Sequence, residues 1–533
     1  MTNHTLLFPI SRLRKRLKVG ENWPLAAGAA LAAIMLAVII GLAPVAAIGI
    51  GEGLIIGHVI DAYVLRILWF TLLQAGLSTL LSVALALPVA LALARVDFLG
   101  RGLLLRLFAL PLALPAIVVI LGIVAVYGRT GWLSHLLGTP LNVYGLTGIL
   151  LAHVFFNLPL AARLILQQLD GIAPESFRLA AQLDFTTMAR IRLIEWPQIK
   201  GSLPGIASLI FLVCAASFAV VLTLGGGPSA TTLEVGIYQA LRFDYDPARA
   251  TVLSMVQLIL CGLFVLLAGH YAQAMQSWPA LRRMAQRYET RSAGASLTLA
   301  LVIALAAAFV GIPILAIVIS GLLAQFDWPA LARATLTSIF IAAPAAALSI
   351  VLAWPIAQAS ARARNGSWRT LLNLAALLTL IVPPAVLATG WFIAATRAGF
   401  AFAAAPFLVI AMNALMALPF ALGTLSPSVH QAMMQHDRLC ASLGIGGLRR
   451  LLLIDLPVLR RPLGLAAAMA FVLSLGDLTA ITLFGSQSLM TLPALIYAQM
   501  GSYRIDAAAG SALILALFSM MIITLLDKWS ARA

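Results

Sequence analysis

The sequence predicts an all-α polytopic membrane protein built from two parallel repeats of about six membrane-crossing helices. Three observations predict it. The first is composition: 533 residues, 62% hydrophobic and only 10% charged. A soluble domain is nearer half apolar and a quarter charged, so lipid is the natural solvent for this much apolar surface. The second is the length of the apolar runs. They are long enough for spanning helices of about 20 residues, and too continuous for barrel strands, which alternate over about 10 residues. The third is an internal repeat at an offset of about 260 residues. RLAAQLD from Arg178 to Asp184 and IEWP from Ile194 to Pro197 return as RLCASLG from Arg438 to Gly444 and IDLP from Ile454 to Pro457. Pro159/Pro419, Arg190/Arg450, Phe211/Phe471 and Gly225/Gly485 keep the same offset.

The apolar runs fall near 25–50, 65–94, 103–127, 143–169, 203–224, 250–272, 296–323, 333–360, 371–396, 404–425, 463–484 and 508–526, two sets of six. The run at 25–50 follows Arg12, Arg14, Lys15, Arg16 and Lys18. It exceeds the 7–15 residues of a signal-peptide core, so it reads as an uncleaved first helix. Lys and Arg then set orientation. The N-terminal cluster, Arg95–Arg106, Arg178–Lys200, Arg282–Arg291, Arg362–Arg369, Arg438–Arg461 and Lys528 all fall on one side, which is taken as cytoplasmic. Both termini are expected there, in a bacterial inner membrane. Each set of six then enters and leaves on the same side, giving repeats related by an axis along the membrane normal. The expected organisation is a cytoplasmic segment 1–24, a first half 25–272 with its loop at 170–200, a linker 273–295, a second half 296–526 with its loop at 426–462, and a tail 527–533.

The formal charge of +16 does not point to nucleic acid, because the basic residues lie in short gaps between apolar runs. Cys214, Cys261 and Cys440 are far apart and read as small buried hydrophobes, with no metal spacing and no disulfide framework.

Each repeated gap reads as a short amphipathic helix lying on the membrane surface. Leu179 and Leu183, like Leu439 and Leu443, stand four apart on one helical face. Gly444 can adopt the left-handed conformation that ends a helix. Asp184 holds that place in the first half, and Asp tolerates it better than most residues. Pro197 and Pro457 are expected to stop the following helix from running back into the gap.

These gaps resemble the EAA loop (E-A-A-x3-G-x9-I-x-L-P) of binding-protein-dependent ABC importer permeases. Ala180, Ile194 and Pro197 match in the first copy, with Asp184 for Gly and Trp196 for Leu. Gly444, Ile454, Leu456 and Pro457 match in the second, with Cys440 for Ala. Arg178 and Arg438 stand where the motif has Glu. The resemblance implies a type I ABC importer permease whose short helices dock into two copies of a cytoplasmic ATPase, with a periplasmic substrate-binding protein outside. Across GILLAHVFFNLPLAARLI (148–165), SFAVVLTLGGGPSATTLEVGIYQALR (217–242) and LSLGDLTAITLFG (473–485) the chain further resembles the fused two-domain permeases for thiamine and its phosphates. Fused iron(III) permeases are the nearest alternative.

The chain has four lysines, and none follows a glycine as a Walker A motif requires. ATP and Mg²⁺ are therefore expected on the partner, and this chain is expected to carry no cofactor, metal or catalytic residue of its own. Polar residues inside spans are functional candidates by default; here they are Gln74, His153, Asn157, Gln257, Asn413 and Asp477. Asp477 stands in a long apolar run with Ser217 at the equivalent place, and His153 and Asn413 are equivalent to each other. These four are the candidate pathway residues. Asp477 reads either as an attractor for a cationic substrate or as a hydrogen-bonded packing residue. The outer segments Gly225–Glu234 and Phe243–Pro247 are long enough to receive a loaded binding protein. An ion-coupled secondary transporter is the reading from another class. It would need more intramembrane ionisable groups, and it leaves the twin loops unexplained. A haem-bearing membrane anchor lacks paired histidines at helical spacing.

Overall fold

Sequence runs this apolar can satisfy their backbone in lipid only by closing every hydrogen bond within the segment. Accordingly, every regular element among the described residues is helical. The structure is a computed structural model and describes residues 23–51, 61–269, 293–363, 368, 371–372, 378, 382–485 and 489–531. The expected segments 1–24 and 273–295 lie almost wholly outside them, as does the end of the tail.

In the first half α1 is Trp23–Gly51 and α2 is Ala62–Arg95. The short α3 (Arg101–Leu107) and α4 (Leu110–Ala113) precede α5 (Ala116–Tyr127) and α6 (Trp132–Leu137). Next come α7 (Leu146–Asp170), α8 (Pro174–Gln182), α9 (Thr187–Lys200), α10 (Leu203–Ala215), α11 (Ala219–Leu224), α12 (Leu233–Arg242) and α13 (Pro247–Gly269). The second half runs through α14 (Ala293–Leu322), α15 (Trp328–Arg362), α16 (Pro384–Arg397), α17 (Ala401–Ser442), α18 (residues 447–475), α19 (Thr479–Phe484), α20 (Leu492–Gly501) and α21 (Ile505–Ala531).

Ten helical stretches among the described residues are long and apolar enough to cross a membrane, and α9 with α10 forms an eleventh candidate bent by 52°. Of the expected run 371–396, residues 373–377 and 379–381 lie outside the described residues; its later part is α16. Two expectations need correcting. The run 103–127 is not one helix: Pro111 and Pro115 lack the amide that an α-helix interior needs, and the long helix begins only at Ala116. The runs 203–224 and 463–484 are each interrupted, at residues 216–218 and 476–478.

The repeat is visible in the hydrogen bonds. Thr71 Oγ1 of α2 accepts the amide of Leu233 at 3.0 Å, and Ser338 Oγ of α15 accepts the amide of Leu492 at 2.8 Å. Each pair fixes the start of a short buried helix, α12 or α20. Likewise α2 packs on α7, and α15 on α17.

The halves are interlocked. The first helix of the chain, α1, packs on α15 and α16 of the second half, and α14 packs on α5 and α2 of the first. Glycine makes the crossings possible. A Cβ at Gly390 of α16 would overlap the backbone carbonyl of Gly41 in α1, and one at Gly122 of α5 would meet the backbone of Pro313 in α14. Trp391 Nε1 adds a 3.0 Å hydrogen bond to the Ala37 carbonyl.

Candidate functional site

The repeated gaps form two matching surface features. In the first, α8 ends in a Schellman motif. The Phe185 amide donates to the Ala180 carbonyl at 3.0 Å and the Asp184 amide to Ala181 at 3.3 Å, with Asp184 at φ 49°. In the second, the Ile445 amide donates to Cys440 at 2.9 Å and the Gly444 amide to Ala441 at 3.2 Å, with Gly444 at φ 63°. Asp184 and Gly444 are thus the left-handed residues that the sequence marked. This ending fixes which faces point out. Leu179 and Leu183 are 57% and 58% exposed, Leu439 and Leu443 54% and 63%, while Ala180 and Cys440 are buried beneath them. Arg178 and Arg438 are exposed beside the leucines. The copies differ upstream. A break at Gly171–Ala173 separates α8 from α7, whereas α17 continues unbroken to Ser442, so the expected separate helix exists only in the first half.

Pro197 and Pro457 do not stop the helix. In both halves the helix passes through, preceded by a five-residue π-helical turn, Ile191–Glu195 and Leu451–Asp455. Proline offers no amide, and its ring crowds the carbonyl four residues back. A widened turn relieves both. The amides of Trp196 and Leu456 accordingly reach back five residues, to the carbonyls of Ile191 and Leu451. Ile194 and Ile454 are half-buried, and Pro197 and Pro457 are exposed.

The same π turns bury two acids that the sequence reading passed over. Glu195 is fully buried and pairs with Arg95, at the end of α2, at 2.6 Å. Asp455 is buried and 3.3 Å from Arg450, which also pairs with Asp437. The available signal was the acid after the motif isoleucine in both IEWP and IDLP.

Between the halves lies a cavity of about 500 Å³. The interruptions in the spans build it: Ser217 and Asp477 sit in the two breaks and line it from opposite halves, with His153 and Asn157 of α7. Asp477 Oδ1 and Oδ2 accept the amides of Thr479 and Ala480 at 3.1 and 3.0 Å, so the carboxylate caps the start of α19 while facing the cavity. His153 Nδ1 is 2.9 Å from Ser78 Oγ. Asn413, grouped with these residues by the sequence, does not line the cavity; its Nδ2 donates to Ser474 Oγ at 2.9 Å. Asn157, one of the polar residues the sequence placed inside the spans, lies one helical turn from His153 and lines the cavity with it.

On the opposite face the segment after Gly225 folds into a 3₁₀ turn, Pro228–Ala230, with Gly226 and Gly227 at positive φ. Tyr245 and Tyr503, at corresponding places in the two halves, adopt φ 52° and 58° and are almost fully exposed.

No family model matches the chain. Among curated proteins it is similar to the thiamine transport system permease protein ThiP of Brucella abortus (strain 2308), 45% identical over 485 residues, covering 88% of this chain and 89% of the relative. Its similarity to ThiP of Escherichia coli (strain K12) is 42% over 493 residues, covering 89% and 90%. The sulfate transport system permease protein CysW of Synechococcus elongatus is 29% identical over 240 residues, 44% of this chain but 83% of that protein, a length close to one half of the fold described above. Identity above 40% across nearly nine-tenths of both chains, on an interlocked helical membrane fold, means that this chain belongs to the family of thiamine transport system permease proteins and is a permease, not an enzyme.

Proposed function

We propose that this chain is the membrane-spanning subunit of an ABC importer that carries thiamine and its phosphates across the bacterial inner membrane, with both termini cytoplasmic. Two copies of an ATPase subunit dock on the cytoplasmic side, where they bind ATP and Mg²⁺. A periplasmic binding protein delivers the cargo to the other face. The observation that carries the reading is the pair of exposed leucine couples, Leu179 with Leu183 and Leu439 with Leu443, presented by matching Schellman-ended helices. Exposed apolar side chains at two repeat-related points suit a partner that is itself two-fold symmetric. Closure of the ATPase pair on ATP then moves both contacts, and the halves rock about the cavity between them. The π turns pass that motion on through α9 and α18, and the buried Arg95–Glu195 pair ties the first loop to α2.

Supporting the cargo are the relatives' names and a cavity with one carboxylate. An iron(III) cargo is less well served: among the described residues no three His, Cys, Asp or Glu side chains gather as a metal site. The test is uptake of labelled thiamine into vesicles holding the purified permease, ATPase and binding protein. Uptake that requires ATP and both partners supports the reading. Uptake without ATP overturns the ABC mechanism, and iron uptake in place of thiamine overturns the cargo.

A further inference from the structure

The two walls of the central cavity are built from equivalent positions, yet they differ in chemistry. Asp477 on the second-half wall faces Ser217 on the first. His153 and Asn157 belong to the first-half wall; 260 residues on, their counterparts are Asn413, which turns away to Ser474, and Ala417. The cavity therefore has an anionic end and a neutral hydrogen-bonding end. Phe156 of α7 and Phe420 of α17 add aromatic surface to it, one from each half.

Both ends are held in place. Two backbone amides fix the Asp477 carboxylate at the start of α19. At the other end, Ser78 holds His153 Nδ1, while Nε2 is buried without a hydrogen-bond partner and the ring edges the cavity. A buried polar nitrogen without a partner is costly, and a ligand group at this place would satisfy it. Either tautomer serves, since Nε2 donates in one and accepts in the other.

We propose that the cavity is a transient binding site that holds a cationic heteroaromatic cargo in one orientation, its charged ring toward Asp477 and a neutral hydrogen-bonding ring toward His153 and Asn157. Thiamine has this division: a thiazolium with fixed positive charge is joined through one carbon to an aminopyrimidine. The proposal rests on the thiamine reading above and deepens it, making Asp477 and His153 specificity-determining residues of the permease itself. The cavity lies within the 300–1,000 Å³ usual for small-molecule sites, and a cation beside aromatic faces gains further attraction.

The test uses the complete transporter in vesicles and compares variants at equal amounts of assembled complex, judged by co-purified ATPase. Asp477→Ser keeps a helix-capping oxygen but removes the charge, and thiamine uptake is expected to fall about tenfold, the loss of one charge-assisted contact. His153→Gln is expected to lower uptake severalfold. The deciding variant is the double exchange Ser217→Asp with Asp477→Ser, which moves the charge to the wall that already carries His153. An oriented site predicts no recovery. Recovery to wild-type uptake would overturn the orientation, and wild-type uptake by Asp477→Ser would overturn the site. If Asp477→Ser does not assemble, Asp477→Asn carries the same expectation. A wild-type transporter that moves another cargo but no thiamine would instead reject the functional reading on which this one stands.

Discussion

Asp184 and Gly444 show how far one side chain can be read. Both sit at the left-handed position that closes a helix, at φ 49° and 63°, and that closure turns Leu179, Leu183, Leu439 and Leu443 outward. The four-residue spacing made the exposed face legible in the sequence. Replacing Leu183 and Leu443 together by Arg should abolish co-purification of the ATPase while the permease stays in the membrane; undiminished co-purification would remove the docking role. Glu195 was not legible in the same way, because its partner Arg95 lies 100 residues away, and spacing says nothing about contacts at that range. Glu195→Gln should lower the midpoint of thermal unfolding in detergent, because it removes a buried charge 2.6 Å from the Arg95 guanidinium. Asp455→Asn should shift that midpoint only slightly, since Asp437 also holds Arg450. A large shift with Asp455→Asn would contradict that shared hold.

Among the elements, hydropathy located the apolar runs but not their interruptions. Ala216–Ser217–Phe218 and Gly476–Asp477–Leu478 each set one polar residue in a long apolar run, too small a signal to reveal that the backbone turns there and opens a cavity. Proline misled in the opposite sense. It suggested an end at Pro197 and Pro457, where a π turn lets the helix continue, because tertiary packing outweighs local preference. Helix crossings were likewise invisible: nothing in a single glycine says whether another backbone lies against it. Gly390→Ala should force α1 and α16 apart and sharply lower the amount of assembled protein recovered from membranes. Gly102→Ala, with open space around the new methyl group, is the matched control and should leave recovery unchanged. Equal recovery of both would contradict the tight crossing.

For the molecule as a whole, two repeats were legible, but their interlocking was not. Since α1 completes the second half and α14 the first, neither half holds all of its own packing surface. Separately encoded segments 1–292 and 293–533 should accumulate only when produced together, and a stable, monodisperse single half would contradict the interlock. Lodging both repeats in one polypeptide has a further consequence for the cavity. A homodimer of identical halves would have to place the same residue on both sides of its axis: two carboxylates repelling each other across a narrow gap, or none. Covalent fusion frees the sides to diverge, and this chain carries Asp on one and Ser on the other. A lopsided cargo can be met by a lopsided chamber only when the gene no longer builds its two walls from one copy.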